Sequence, residues 1–180
     1  MAQGKASHYF CQDETRVGLK TQSGKVITAS GVKPKLEVQW DRENFWIYGA
    51  IAPLSGDHFL HEYPKLNGEC FQEFLDWLSQ QLGEDWAILQ IDRAPAHMAA
   101  AIQWPENIIP LVQPAHSPEL NPIERFWQLL KQPLKNQLFP SLQALRSRVQ
   151  ELFARLTLEQ VMSVSSYNFI LAALFYVASH

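Results

Sequence analysis

The sequence predicts an α/β fold on a mixed sheet, and three observations carry that reading. Short β-rich runs open the chain, apolar runs then alternate with amphipathic helical stretches, and two of the runs end in acids. His8-Tyr9-Phe10-Cys11-Gln12-Asp13-Glu14 is the first candidate strand. Residues 20–32 are polar, contain Gly24 and Gly31, and predict a hairpin region. Leu36-Glu37-Val38-Gln39-Trp40 alternates as a half-buried strand, Phe45-Trp46-Ile47-Tyr48-Gly49-Ala50-Ile51 is a richer and central one, and Phe59-Leu60-His61-Glu62-Tyr63 adds a fourth.

Helices follow with clear start and stop residues. Asn67 caps a helix whose Phe71, Phe74, Leu75, Leu78 and Leu82 keep the i, i+3, i+4, i+7 spacing of a sheet-packing face, and Gly83 ends it. Trp86-Ala87-Ile88-Leu89-Gln90-Ile91 is a short apolar run ending in Asp92, the place where α/β sheets carry active groups. A short helix is expected over residues 97–104, then Ile108-Ile109-Pro110-Leu111-Val112 as the last strand. Asn121 is a good N-cap, Pro122 suits the first helical position and Glu124 the third, where free N–H groups and the macrodipole favour a carboxylate. Ile123, Phe126, Trp127 and Leu130 share one arc, so Glu124 lies at its flank with Gln128 and Lys131 and borders the core without entering it. A capping box is the plainer role for that glutamate. Pro133 kinks or ends the helix, Ser141 opens another with Leu142, Leu145, Val149, Leu152, Phe153 and Leu156, and Thr157 with Gln160 forms a capping box for the next.

Three acids from two strands and a capped helix form a set able to hold divalent cations, because hard cations take oxygen ligands. The segments that carry them are Asp13-Glu14-Thr15-Arg16-Val17-Gly18-Leu19, Ile91-Asp92-Arg93-Ala94-Pro95-Ala96-His97 and Ser117-Pro118-Glu119-Leu120-Asn121-Pro122-Ile123-Glu124. In order and spacing they resemble the three acidic motifs of the DDE transposases of bacterial insertion sequences related to mariner, the third being the most specific. The resemblance covers roughly residues 9–135. It implies a ribonuclease H-like mixed sheet flanked by helices, with a C-terminal helical tail, in which the Asp13 and Asp92 strands are neighbours. It makes Asp13, Asp92 and Glu124 the catalytic, metal-binding acids for two Mg²⁺ (or Mn²⁺) ions. It also places a His at position 97, for orienting the scissile phosphate or a metal-bound water, with a helix-capping or core role as the alternative. Arg93 departs from the family, which commonly has Asn there, and sets a cation beside the site. Asn121 completes the auxiliary set, and Lys131, Lys135 and Arg125 are candidates for contacts to the DNA backbone. Glu14, next to Asp13 on a strand, points to the opposite face, so Asp13 is the preferred ligand.

A net charge of −3 looks unsuited to a nucleic-acid protein until it is divided along the chain. Residues 1–42 carry +3, residues 43–124 carry −10 and residues 125–180 carry +4, so basic ends flank an acidic middle. An acidic centre that needs cations, beside segments able to meet phosphates, fits a metal-dependent nuclease. Cys11 and Cys70 lack metal-ligand spacing and read as reduced thiols of a cytosolic protein, which excludes a disulfide scaffold. The apolar run over residues 169–178 is about half the ~20 residues a spanning helix needs and predicts a buried or partner-docking helix, with no membrane segment. His58, His61, His97 and His116 raise a zinc site, which the strand positions of His58 and His61 disfavour because they would face opposite sides. Trp40, Trp46, Trp77, Trp86, Trp104 and Trp127 read as core residues ahead of base-stacking platforms.

Together these readings predict a single catalytic domain over residues 1–180, cutting DNA and joining strands for an insertion sequence by metal-dependent phosphoryl transfer. Its expected partners are double-stranded DNA, as element ends and target, further copies of itself on that DNA, and an upstream helix-turn-helix polypeptide, since only twelve residues precede Asp13. The expected location is the cytoplasm, on the nucleoid. The competing readings are an inactive or domesticated remnant that binds DNA or protein, and a ribonuclease H-like nuclease acting alone.

Overall fold

The computed structural model describes residues 5–115 and 117–179, with backbone alone for 173–175 and 177–179. Five strands, β1 (Ser7–Gly18), β2 (Asn44–Ile51), β3 (His58–Tyr63), β4 (Trp86–Ile91) and β5 (Ile108–Val112), form one sheet in the order β3-β2-β1-β4-β5. β1 pairs antiparallel with β2 and parallel with β4, so the sheet is mixed and the Asp13 and Asp92 strands are neighbours. Helix α1 (Gly68–Leu82) makes the crossover from β3 to β4, and α2 (Ile123–Lys131), α3 (Leu142–Ala154), α4 (Leu158–Ser165) and α5 (Asn168–Ser179) follow β5 as the helical tail. This is a ribonuclease H-like arrangement. No described helix is long and apolar enough to cross a membrane.

Period-2 alternation divides the core between the two sheet faces. Phe10, Tyr48, Ala50 and Leu89 face α1, which buries Phe71, Phe74, Leu75 and Leu78 against them. Cys11, Val17, Phe45, Ile47 and Ile51 face Phe126, Trp127 and Leu130 of α2, with Leu145, Val149 and Val161 behind. Each such side chain contributes roughly 1.5–3 kcal/mol by leaving water, so the four buried apolar side chains of α2, Ile123, Phe126, Trp127 and Leu130, hold the helix, and Glu124 with it, onto the sheet. The caps act as their sequence predicts: Asn67 accepts from the Cys70 N–H, Ser141 from Ala144, and Thr157 and Gln160 form the reciprocal box. Gly56, at φ +78, lets the turn between β2 and β3 lie against the backbone of Leu158, where a Cβ would stand 2.2 Å from its carbonyl oxygen.

Several expectations are corrected. β1 does not end at its acids but runs on to Gly18, because β2 pairs with it through that residue while the ladder to β4 stops at Cys11–Gln90. β1 is the central strand, and β2 lies between it and β3. Residues 36–40 form no strand. Trp40 is 72% exposed, and the arm between β1 and β2 is held by Leu19 N–H to Glu43 C=O and Thr21 N–H to Gln39 C=O, with no sheet face for its alternation to bury. Trp86 is likewise exposed, whereas Trp127 is core on the α2 face and Trp46, Trp77 and Trp104 pack partly buried against the core on the α1 face. Residues 97–104 make isolated turns in place of a helix, with His97 drawn inward by partners on other elements. Both cysteines are free and buried on opposite faces of the sheet.

Candidate active site

Where the β1–β4 ladder ends, an open cleft of about 360 Å³ is lined by Asp13, Asp92, Arg93, Ala94, Gln113, Pro114, Ala115, Ser117, Pro118, Asn121 and Glu124. Each acid reaches it from a different element. Asp13 sits on the α2 face of β1, Asp92 directly follows β4, and Glu124 occupies the first turn of α2. The three acids, Arg93 and Asn121 are thus brought together.

Asn121 explains the alignment of helix and strand. Its Oδ1 accepts from the Ile123 N–H at 3.3 Å, and its Nδ2 donates to the Gln12 carbonyl at 2.9 Å, fully buried. The regular helix begins at Ile123, and Pro122 before it already has the helical angles expected of a first helical position. The start of α2 is therefore tied to the residue before Asp13. Gln90 anchors the preceding turn, Pro118–Leu120, by donating to the Leu120 carbonyl at 3.1 Å and to Gln113 Oε1 at 3.0 Å.

Asp13 is a strained acid electrostatically. Burial first, and then the charges of Glu14 and Glu124, push its carboxyl up to about 7, against the pull of the Trp127 indole N–H, which donates to Oδ2 at 2.9 Å. Gly49 lies across from Asp13 on β2, and a Cβ there would stand 2.6 Å from the Trp127 ring. Asp92 behaves in the opposite way. Hydrogen bonding from His97 holds its carboxyl below the usual range, with the Ala94 N–H adding to the effect and burial opposing it. Both His97 Nδ1 at 2.7 Å and the Ala94 N–H at 2.8 Å meet Oδ1.

Both ring nitrogens of His97 are engaged by carboxylates, which fits the core alternative better than a contact to phosphate or water. Its side chain is fully buried, tilted against Phe71 with ring centroids 4.3 Å apart, and its Nε2 lies 2.8 Å from Glu14 Oε1. Burial disfavours the imidazolium, but the carboxylates of Asp92 and Glu14 prevail and raise it to about 10. Two carboxylate acceptors call for two N–H donors, so the ring is charged at neutral pH. Glu14 does face away from Asp13, as expected, yet it belongs to the site through His97. Sequence reasoning missed this, although Gln12 and Glu14, two apart on one strand, share that face.

The backbone candidates separate. Lys131 is half-buried, its ammonium held below the usual range by burial while Asp13 and Glu124 pull it back up. It also lines a second groove of about 810 Å³ with Arg16, Lys20, Arg42, Asp41 and Glu43. Arg125 stacks on Tyr167 at 4.5 Å, away from the cleft, and Lys135 bonds Gln132 beyond the end of α2. Among the described residues, no three His, Cys, Asp or Glu side chains stand close enough together to hold an ion, and Asp92 is bonded to His97 and Asp13 to Trp127. His58 bonds the Gly56 carbonyl in the turn before β3 and His61 the Glu62 carbonyl on it, and His116 lies outside the described residues. The donor chemistry nevertheless suits a hard cation: the three acids of one cleft offer carboxylate oxygens, and one of them is destabilised by its neighbours' charge.

Comparison with known proteins decides the family. Residues 8–146 match the family described as DDE superfamily endonuclease. The chain belongs to that family. An uncharacterized protein of Sinorhizobium fredii (strain NBRC 101917 / NGR234), y4pE/y4sA, is 32% identical over 96 residues, covering 52% of this chain and 71% of that protein. Among solved structures, the endonuclease domain resembles a pre-cleavage Mos1 transpososome (TM-score 0.68, 19% identity, 87% of this chain and 51% of that one). It likewise resembles the Mos1 mariner paired-end complex with Mn (TM-score 0.67, 20% identity, 87% and 51%). At such identity these structures show a shared fold, and the chain spans about half the length of the transposase chains it matches.

Proposed function

We propose that this domain is the catalytic domain of an insertion-sequence transposase, cutting DNA and joining the cut end to a target. The observation that carries the proposal is the cleft lined by Asp13, Asp92 and Glu124, three acids from three elements, in which a cation would relieve the burial of Asp13 and the charge it meets from Glu124. Asp13, Asp92 and Glu124 would hold two Mg²⁺ or Mn²⁺ ions; a Mos1 complex with Mn supports the use of divalent metal. When bound, such ions supply the positive charge that activates a water or 3′-hydroxyl and stabilises the leaving oxygen. The chain's own residues set the geometry. Asn121 fixes the start of α2 relative to β1, Trp127 orients Asp13, and Arg93 offers a cation at the cleft's lip. Lys131, Arg16, Lys20 and Arg42 line the neighbouring groove, where a duplex backbone would meet four cations against the two acids Asp41 and Glu43.

In this reading residues 1–180 are one catalytic domain, working on the nucleoid as a homo-oligomer on DNA and with a helix-turn-helix region that reads the element ends. The test is nicking of supercoiled DNA in Mg²⁺ or Mn²⁺, followed by a strand-transfer assay. The parent is expected to nick and to join, and Asp92→Asn and Glu124→Gln each to do neither while remaining folded. Substantial nicking by both variants contradicts the assignment of the acids, and nicking by the parent without joining favours a nuclease acting alone.

A further inference from the structure

We propose that Glu14 and His97 are positioning residues for Asp92: Glu14 fixes the His97 ring, and His97 fixes Oδ1 of Asp92 so that Oδ2 is presented to the cleft.

Glu14 cannot share a ligand with Asp13 directly, because successive strand residues point to opposite faces. It reaches the site by another route. The ladder between β1 and β4 ends at Cys11–Gln90, and His97 stands beyond that end bonded to both chains, 2.8 Å from Glu14 Oε1 and 2.7 Å from Asp92 Oδ1. The Glu14 side chain is 5% exposed and the His97 side chain 0%. Gln12 Nε2 donates to the same Glu14 oxygen at 2.8 Å, and the Phe71 ring walls the imidazole from behind. Every member of the chain is thus held by packing or by a second hydrogen bond. At the far end the Ala94 N–H also donates to Asp92 Oδ1, so that oxygen carries two donors and Oδ2 is the one left for a ligand.

Stability alone does not account for this arrangement. Removing two ionised groups from water is costly, and apolar residues of similar volume often hold a core as well or better. A charged chain that ends on a cleft acid is better explained by ligand orientation, since partners behind metal-ligating groups typically change metal affinity 10–100-fold.

The inference rests on the reading that the three acids hold divalent cations, and the experiment separates the two claims. Free Mn²⁺ is followed by electron paramagnetic resonance during titration of the parent, Asp92→Asn, Glu14→Ala, Glu14→Gln and the paired substitution Glu14→Leu with His97→Phe. The melting temperature of each without metal is measured alongside. Asp92→Asn should lose the site. Glu14→Ala should weaken Mn²⁺ by on the order of tenfold or more, and Glu14→Gln, which keeps an acceptor for the His97 N–H, should restore most of the parent affinity. The apolar pair should melt at or above the parent temperature and still bind Mn²⁺ weakly, which a merely structural role would not produce. Parent-like Mn²⁺ affinity in Glu14→Ala and in the apolar pair, with the site lost in Asp92→Asn, overturns this inference and leaves the metal reading standing. Parent-like affinity in Asp92→Asn overturns both.

Discussion

The Trp127 indole N–H donates to Asp13 Oδ2 at 2.9 Å, so a core residue of the helix that carries Glu124 directly grips the acid on the central strand. Burial of α2 and the spacing of the two acids are therefore one structural fact. Gly49 makes it possible, since the ring occupies the space a Cβ would need.

Gly49→Ala should cost about 1–3 kcal/mol in stability, the usual penalty of overpacking, and reduce DNA cleavage by displacing the indole from Asp13. In a Trp127→Phe background, which removes the ring atoms that would clash, the same alanine should cost much less. Urea unfolding of the four proteins of this cycle measures the coupling. Additive costs would show that Gly49 and Trp127 do not act together.

Asn121 has two separable bonds. Asn121→Asp keeps an acceptor for the Ile123 N–H but sets a carboxylate against the Gln12 carbonyl, whereas Asn121→Ala loses both. A buried carbonyl left unsatisfied costs about 1–3 kcal/mol, so both variants should be destabilised and both should cleave poorly. An Asn121→Asp protein with parent stability and activity would reduce the residue to a helix cap.

Much of this was legible in the chain. Cap residues and periodicity locate α1, β4, β5 and the tail, and the three acidic motifs locate the cleft acids. What was hidden depends on distant partners. His97 lies 83 residues from Glu14, and that bond is absent from any local pattern; residues 97–104 form turns where a helix is predicted, and His97 takes the core position of the alternative reading. Residues 36–40 alternate correctly for a strand but have no sheet face beneath them, and Arg125 on the α2 surface is taken up by Tyr167 from the helical tail.

The clamp has a pH signature. The folded-state value of His97, about 10, lies above its ordinary value near 6.5, so its contribution to stability is full below about pH 6.5 and is lost as pH rises toward 10. Asp13, raised to about 7, likewise contributes in acid and loses that contribution between about pH 4 and 7. Without metal, the stability difference between the parent and the Glu14→Leu, His97→Phe pair should therefore shift against the parent between pH 7 and 10. Urea titrations across that range check it, and a constant difference would contradict a charged His97.

Lys131 joins the acid cleft to the basic groove. If the groove carries a DNA backbone, Lys131→Ala and Arg42→Ala should each weaken binding about equally for all sequences and lower the slope of log affinity against log salt by about one. An unchanged slope returns these residues to the solvated surface.

The most direct measurement of the central claim is anomalous diffraction from crystals of the protein soaked in Mn²⁺. Two peaks bounded by Asp13, Asp92 and Glu124, with Asp92 binding through Oδ2 while Oδ1 stays on His97, are predicted. Crystals that bind Mn²⁺ elsewhere, or leave the three acids without a peak at saturating Mn²⁺, would contradict it.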